Sequence, residues 1–272
     1  MKLNQVLIVT KPHAGNTACA NRDASRALDD MHAAVLAAVE DALSQRKIQY
    51  RITERENIPA NARADLIVPL GGDGTFLAAA HTAGATPLLG VNAAPHRSVG
   101  FFCAARADTF AELIDRIMAG RLRPRELPLI EASLGGRPLT CNALNDVLFA
   151  GESPAETVRY RIKIGKRAED HKSSGVWISA GPGSTAAIHS AGGKRMSIAS
   201  KRLQYLVREP CPIPGHRYRL ARGILPVGGA IEIISDMKCG AVYVDGHWHS
   251  HRVPRGSVLT CRVAKRSVSI FL

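Results

Sequence analysis

Leu70-Gly71-Gly72-Asp73-Gly74-Thr75-Phe76-Leu77 sets three glycines around a single carboxylate. Glycine has no Cβ, so its backbone amides can approach phosphate oxygens closely, and a helix opening behind them adds partial positive charge. A tight strand-to-helix turn would account for the glycines alone. It would not account for Asp73, because nothing about such a turn demands a carboxylate there. Phosphoryl transfer does use one, either to hold Mg²⁺ against the phosphates or to accept the proton of an attacking hydroxyl. With an unperturbed pKa of about 4, such an Asp is a weak base, so it should act mainly by positioning the hydroxyl.

The elements that must place this loop are legible around it. Leu66–Leu70 is a short continuous apolar run, as expected of a central parallel strand buried on both faces. Thr75–Ala83 is alanine-rich and reads as a helix, while Leu3–Thr10, Ile48–Thr53 and Pro87–Val91 read as further strands. Residues 25–47 carry Leu28, Met31, Val35, Val39 and Leu43 at spacings of three and four, which draw one face of a helix. Another helix is expected at Thr109–Met118. Such alternation implies a parallel sheet with right-handed crossovers, and open parallel sheets bind ligands beyond the carboxyl ends of their strands. From Leu127 onward the signals become short strands, among them Arg159–Ile164 and Val242–Val244, between turns such as Gly135-Gly136 and Gly228-Gly229. An α/β N-terminal domain over residues 1–122 and a mostly β domain over residues 123–272 are therefore expected.

The net charge of +13 is spread along the chain, and only 5% of residues are aromatic. That pattern suits a polyanionic small substrate drawn to a positive surface, and it lacks the stacking residues of a nucleic-acid binder. No apolar run reaches the roughly 20 residues of a membrane helix. Val6–Val9 is too short for a signal peptide, so a cytoplasmic protein without membrane attachment is expected. Cysteines at 19, 103, 141, 211, 239 and 261 form no CxxC pair, against a zinc site or a disulfide framework. His247, His249 and His251 alternate, a spacing that could ligate a transition metal from one strand face; an exposed polar face explains them more simply, and no metal site is assigned.

Gly71-Gly72-Asp73-Gly74-Thr75 resembles the signature of a kinase superfamily that includes NAD kinases, diacylglycerol kinases, sphingosine kinases and 6-phosphofructokinases. Three later segments choose among them. The stretch from Gly90 to Phe101 is similar to the family's second glycine-bearing loop, with Pro95, Arg97 and Ser98 in the pattern of the mitochondrial-type branch of NAD kinases. Ala143-Leu144-Asn145-Asp146-Val147, continued by Phe149–Ser153, is similar to the motif by which NAD kinases hold the dinucleotide. Lys172-Ser173-Ser174-Gly175 and Gly183-Ser184-Thr185-Ala186 resemble the segment that approaches the adenine end, and Arg208-Glu209-Pro210 and Asp245-Gly246 follow in order.

The resemblance implies an α/β domain with a parallel sheet, a C-terminal β-sandwich, an active site between them, and assembly into homodimers or homotetramers. The C-terminal tail is left open to returning to the first domain. It also implies transfer of a phosphoryl group from ATP, another nucleoside triphosphate or polyphosphate to the 2′-hydroxyl of the adenosine ribose of NAD, with Mg²⁺ or another divalent cation. Asp73 would be catalytic, and Gly71, Gly72, Gly74 and Thr75 would cradle ATP phosphates. Asp73, Gly74, Phe101, Asn145, Asp146, Ser174, Ser184, Thr185, Ala186 and Ser190 would contact NAD. By residue type alone, Asn145 and Asp146 interrupt an apolar strand and would equally suit a strand end. Ser184 or Thr185 would equally suit a helix cap, and Phe101 a core position.

This chain departs from many family members at Pro182, where Thr or Ser is common, at Ala187, where Tyr is common, and at Ser174, where Asp is common. Two alternatives stand beside the NAD kinase. A diacylglycerol-type lipid kinase fits the Lys11-Pro12-His13-Ala14-Gly15 start and the charge, but leaves Asn145-Asp146 without a role. A non-catalytic NAD(H)-binding sensor would have no use for Asp73.

Overall fold

Strand Leu66–Gly71 is buried at every position, and the elements on its two sides explain why. The computed structural model describes residues 1–12, 22–59, 63–215 and 217–272; His13-Ala14-Gly15 and Cys19 lie outside the described residues. The chain divides into two compact units, Met1–Glu126 with Val268–Leu272, and Leu127–Ser267.

The first unit runs β1 (Gln5–Thr10), α1 (Arg22–Gln45), β2 (Gln49–Glu54), β3 (Leu66–Gly71), α2 (Asp73–Thr82), β4 (Val91–Asn92) and α3 (Phe110–Met118). Its sheet is parallel throughout, in the order β2-β1-β3-β4. Val6 and Ile8 of β1 and Leu66, Val68 and Leu70 of β3 share a core with Val39 and Leu43 of α1 and Phe110, Ile114 and Ile117 of α3. The alternate residues Leu7, Val9 and Ile67 are buried as well, and Phe76, Ala79 and Ala80 of α2 are buried against that part of the unit. Apolar side chains on both faces are what a helix-covered parallel strand requires.

Two expectations are corrected here. The helix face drawn through Leu28, Met31, Val35, Val39 and Leu43 packs only from Val35 onward; Met31 is exposed, because the core does not extend along the N-terminal half of the helix. Pro87–Val91 is extended and mostly buried, but its ladder with β3 is reduced to Val91–Asn92 and a bridge from Leu88 to Ile67. Pro87 has no N–H to donate. The remaining groups turn elsewhere: Leu88 N–H donates to Ser269 O, Phe271 N–H to Leu88 O, and Ala105 N–H to Gly90 O.

The second unit packs two antiparallel sheets face to face. One has the order β6-β5-β16-β13-β8-β9 and the other β12-β11-β10-β7-β14-β15. In chain order these are β5 (Arg125–Leu134), β6 (Arg137–Pro138), β7 (Asp146–Gly151), β8 (Val158–Ile164), β9 (Arg167–Ser173), β10 (Gly175–Ser179), β11 (Gln204–Arg208), β12 (Arg222–Ile224), β13 (Ala230–Ser235), β14 (Cys239–Val244), β15 (His249–Pro254) and β16 (Val258–Ile270), with α4 (Ala187–Ser190) between β10 and β11. Phe149, Tyr160, Val176, Ile178, Val207, Ile233, Val242 and Leu259 meet in the common core. In β8 the alternation is strict: Val158, Tyr160 and Ile162 point inward while Arg159, Arg161 and Lys163 are exposed. The expected α/β domain with a parallel sheet and the antiparallel β-sandwich are both present. His247 is not on a strand with His249 and His251; it lies in the turn before β15, with its ring 4.3 Å from that of Trp248.

Ser173 pins the β9–β10 junction. Its Oγ lies 2.6 Å from Tyr160 Oη and accepts from Gly175 N–H at 2.9 Å, with the residue 1% exposed. Gly175 has φ +122°, and a Cβ there would fall 2.1 Å from Phe149 O, so the turn tolerates no side chain. Ser173→Ala leaves the Gly175 amide buried without that acceptor. A loss of about 1–3 kcal/mol is expected, read as a fall in Tm of roughly 2–8 °C. An unchanged Tm would show that the hydroxyl is replaceable by water.

Candidate functional site

β3 delivers the glycine loop at its carboxyl end. Thr75 N–H and Phe76 N–H donate to Gly72 O at 3.1 and 3.2 Å, closing the first turn of α2. A Cβ on Gly71 would lie 2.6 Å from Thr75 Oγ1, and one on Gly72 would lie 2.4 Å from Ser98 Oγ. Both positions therefore need glycine for space, and the second brings Ser98 directly over the loop. Gly74 is exposed.

Asp73, half-buried, stands at the positive N-terminal end of α2. Its Oδ1 accepts from Phe102 N–H at 3.0 Å, while Oδ2 has no hydrogen bond from the described residues. One oxygen thus fixes the plane of the carboxylate and the other is open to a ligand. The segment after β4 is stapled by Asn92: Ala94 N–H donates to its Oδ1 at 3.0 Å, and its Nδ2 donates to Ser98 O at 3.2 Å. Gly100, at φ +57°, would place a Cβ 2.3 Å from Asn92 Nδ2. Phe102 is buried and stacks on Phe76 at 5.2 Å, whereas Phe101 is 41% exposed and meets Phe102 edge-on. Phe101 is therefore an aromatic available to a ligand and not a core residue. Burial, then the Asp73 charge, push the Cys103 thiol up to about 12, so it stays protonated beside the loop.

A second cluster forms in the other unit. Asp146 opens β7 with Asn145 just before it, so the pair marks the start of the strand and does not interrupt it. Asp245, in the β14–β15 turn with φ 50°, accepts from Leu144 N–H and Asn145 N–H at 2.7 Å each and from Asp146 N–H at 3.0 Å. Asp245 N–H returns a bond to Asp146 O at 3.0 Å. A Cβ on Gly183 would sit 1.6 Å from Asn145 O, so the Pro182–Thr185 turn rests directly on the Asn145 backbone. The capping expectation is corrected: neither short helix here has a side-chain cap bond. Ser184, 0% exposed, donates to Gly181 O at 2.7 Å and accepts from Met196 N–H at 2.9 Å, which holds the turn shut from inside. Thr185 and Ala186 remain half-exposed at its surface.

Residues 6–122 match the ATP-NAD kinase N-terminal domain family. A probable NADH kinase of Oryza sativa subsp. japonica is 33% identical over 258 residues, covering 85% of this chain and 79% of that protein. The chain belongs to the NAD kinase family. An NADH kinase of Arabidopsis thaliana is 30% identical, with 86% and 81% covered. The fold matches solved NAD kinases: one from Archaeoglobus fulgidus in complex with ATP (TM-score 0.74, 19% identity, 98% of this chain and 93% of that one) and yeast NADH kinase complexed with NADH (TM-score 0.75, 17% identity, 98% and 82%). These relatives support an NAD(H) kinase, and the lipid kinase is not favoured. No helix among the described residues is long and apolar enough to cross a membrane.

The chain carries its sequence-predicted residues in three places. Gly71, Gly72, Asp73, Gly74, Thr75 and Phe101 gather around the end of β3. Asn145, Asp146, Ser184, Thr185 and Ala186 gather around the start of β7, and Ser190 is exposed at the far end of α4. Ser174 stands apart. It precedes β10 and donates its N–H to Arg208 O, five residues and roughly 16 Å of extended chain from Ser179, the β10 partner of Asp146.

Sequence reasoning missed two groups. Arg55, just after β2, would lie 3.8 Å from a Cβ on Gly74 and donates to Glu56 Oε1 at 3.0 Å. A cation just beyond the carboxyl end of a parallel strand was the available signal. Ser179 is directly opposite Asp146 in the ladder, fully buried, and its Oγ has no hydrogen-bond partner among the described residues. No pattern in an apolar strand marks such a serine. Burial, and secondarily the Asp245 charge, raise Asp146 to about 7, so it titrates near neutrality.

Proposed function

We propose that the chain transfers the γ-phosphoryl group of ATP to the 2′-hydroxyl of the adenosine ribose of NAD, giving NADP and ADP. The observation that carries this is the oriented Asp73 carboxylate, with one oxygen tied to Phe102 and the other open, beside glycine amides at a helix N-terminus. The 2′-oxygen forms the new bond to phosphorus as the bridging bond to ADP breaks, and Asp73 orients the hydroxyl and takes its proton. Gly71, Gly72, Gly74 and Thr75 cradle the phosphates. The loop offers Asp73 as its carboxylate, which fits Mg²⁺ carried mainly by the triphosphate; the ion supplies charge neutralisation.

Asn145, Asp146, Thr185 and Ala186 hold the dinucleotide, with Ser184 supporting them from behind, and Phe101 offers a stacking face. Ser190 and Ser174 complete the set that the family resemblance implies, Ser174 touching the ligand away from the ribose at Asp146. A homodimer or homotetramer in the cytoplasm is the proposed form, which light scattering tests for size. The ATP-bound state of the Archaeoglobus fulgidus relative supports the donor. Formation of NADP from NAD, ATP and Mg²⁺ by the purified protein, read with an NADP-specific dehydrogenase, tests the whole scheme; no product with ATP or polyphosphate, on NAD or NADH, would bring the lipid kinase and the sensor forward.

The names of the rice, Arabidopsis and yeast relatives favour NADH as a second acceptor. The ratio of kcat/KM for NADH and NAD decides between them. Arg55 is a donor-side cation in this scheme. Arg55→Gln is expected to raise KM for ATP roughly 3–10-fold with kcat little changed, since a partly exposed cation contributes less than a buried one. An unaltered KM would show that Arg55 does not reach the triphosphate.

A further inference from the structure

The outer face of β8 and β9 carries a concavity of about 580 Å³, lined by none of the residues proposed to contact ATP or NAD, although Lys172 opens the segment that resembles the adenine-end motif. Arg159 of β8 and Lys172 of β9 are directly opposite each other in the ladder there. Like charges directly opposite destabilise a sheet pair. Their neighbours are neutralised: Arg161 holds Asp170 through bonds of 2.7 and 2.9 Å, and Arg255 holds Asp236 at 2.8 Å. Arg159 and Lys172 have no anionic partner among the described residues.

We infer that this concavity binds a small phosphorylated molecule, with its phosphate between Arg159 and Lys172. Arg159 and Lys172 line it together with Ile213 and Ile234, which add apolar surface beside the cations. That combination suits an organic phosphate, and the volume lies within the roughly 300–1,000 Å³ of small-ligand sites. An extended polyanion such as nucleic acid would need a continuous cationic track, whereas Asp170 and Asp236 line the same concavity as these cations.

The test is hydrogen exchange of the intact protein against rising pyrophosphate, followed by mass spectrometry. Peptides covering 158–164 and 167–173 should slow, as a response separate from any in the glycine loop at 70–77. In Arg159→Gln/Lys172→Gln the half-saturating concentration for that response should rise about a hundredfold. Tm without ligand should not fall, because the pair repels. In Arg159→Gln alone KM for ATP should stay within about threefold, and Arg161→Gln should leave the half-saturation within about threefold. Absence of protection in β8 and β9, or protection that survives in the double variant, would overturn the site. So would protection that follows a change in oligomeric mass, which would make the face a contact between copies.

Discussion

Asp73→Asn is expected to lower kcat by about 10²–10⁴-fold while KM for NAD stays within about threefold. The comparison with Asp73→Ala gives this number its meaning. Asp73 has two conceivable duties: it accepts Phe102 N–H through Oδ1 at the start of α2, and it faces the acceptor hydroxyl through Oδ2. Asparagine preserves the first duty, because its carbonyl oxygen accepts the same bond, and removes the second along with the charge. Alanine removes both. A merely structural aspartate therefore predicts an active Asn variant and a damaged Ala variant, with Tm for Ala a few degrees below that of Asn from the unpaired Phe102 amide, since both variants lose the N-terminal charge alike. A proton-accepting aspartate predicts that both lose turnover alike while Ala loses more stability than Asn. Near-normal turnover in the Asn variant, under conditions where Ala fails, would end the mechanism proposed for this loop.

The sequence made the first unit legible because its signals are local. A continuous apolar run gives a two-sided buried strand, a three-and-four spacing gives a helix face, and glycines between them give the turn. What escaped was whatever depends on partners distant in the chain. Asp245 caps three amides about 100 residues away, and nothing in its own neighbourhood announces that. Leu88 gains a second neighbour from Ile270, which is why the Pro87–Val91 strand is split between two partners. Ser184 reads from sequence as an NAD contact or equally as a helix cap; in the fold it is buried and bonded to Gly181 O and Met196 N–H, partners that its own type does not announce. In the candidate site the residue types were readable and their roles were not. Thr185 and Ala186 face outward while Ser184 supports them, a division that depends on which way a four-residue turn is rolled.

Asp146→Asn is expected to make the protein more stable and worse at its task, and pH separates the two effects. The folded carboxyl ionises at about 7 and the unfolded one at its ordinary value, because burial, with the Asp245 charge beside it, disfavours the anion. Between about pH 4 and pH 7 the native state therefore binds more protons than the unfolded state, and stability falls as pH rises through that window. Above it the loss is complete; below it none remains. Asparagine does not ionise, so its advantage over the wild type should be near zero at pH 4 and grow to the order of 2–4 kcal/mol by pH 8. Denaturant unfolding at several pH values measures it.

The same residue is proposed to accept a hydrogen bond from ribose, beside the Ser179 hydroxyl, which has no partner among the described residues. A charged acceptor binds more strongly than a neutral one, so wild-type KM for NAD should drop as pH rises through 7. In the Asn variant KM should be roughly 10–100-fold higher at pH 8 and flat with pH. A variant that gains stability above neutrality with an unaltered KM would show a carboxyl buried for reasons unrelated to the dinucleotide. A variant that loses affinity but gains no stability would mean that the acid is not held neutral, and that the Asp245 turn opens more to water than the folded chain suggests. Gain of stability together with loss of affinity, both emerging over the same pH interval, is the outcome that ties the buried acid to the substrate.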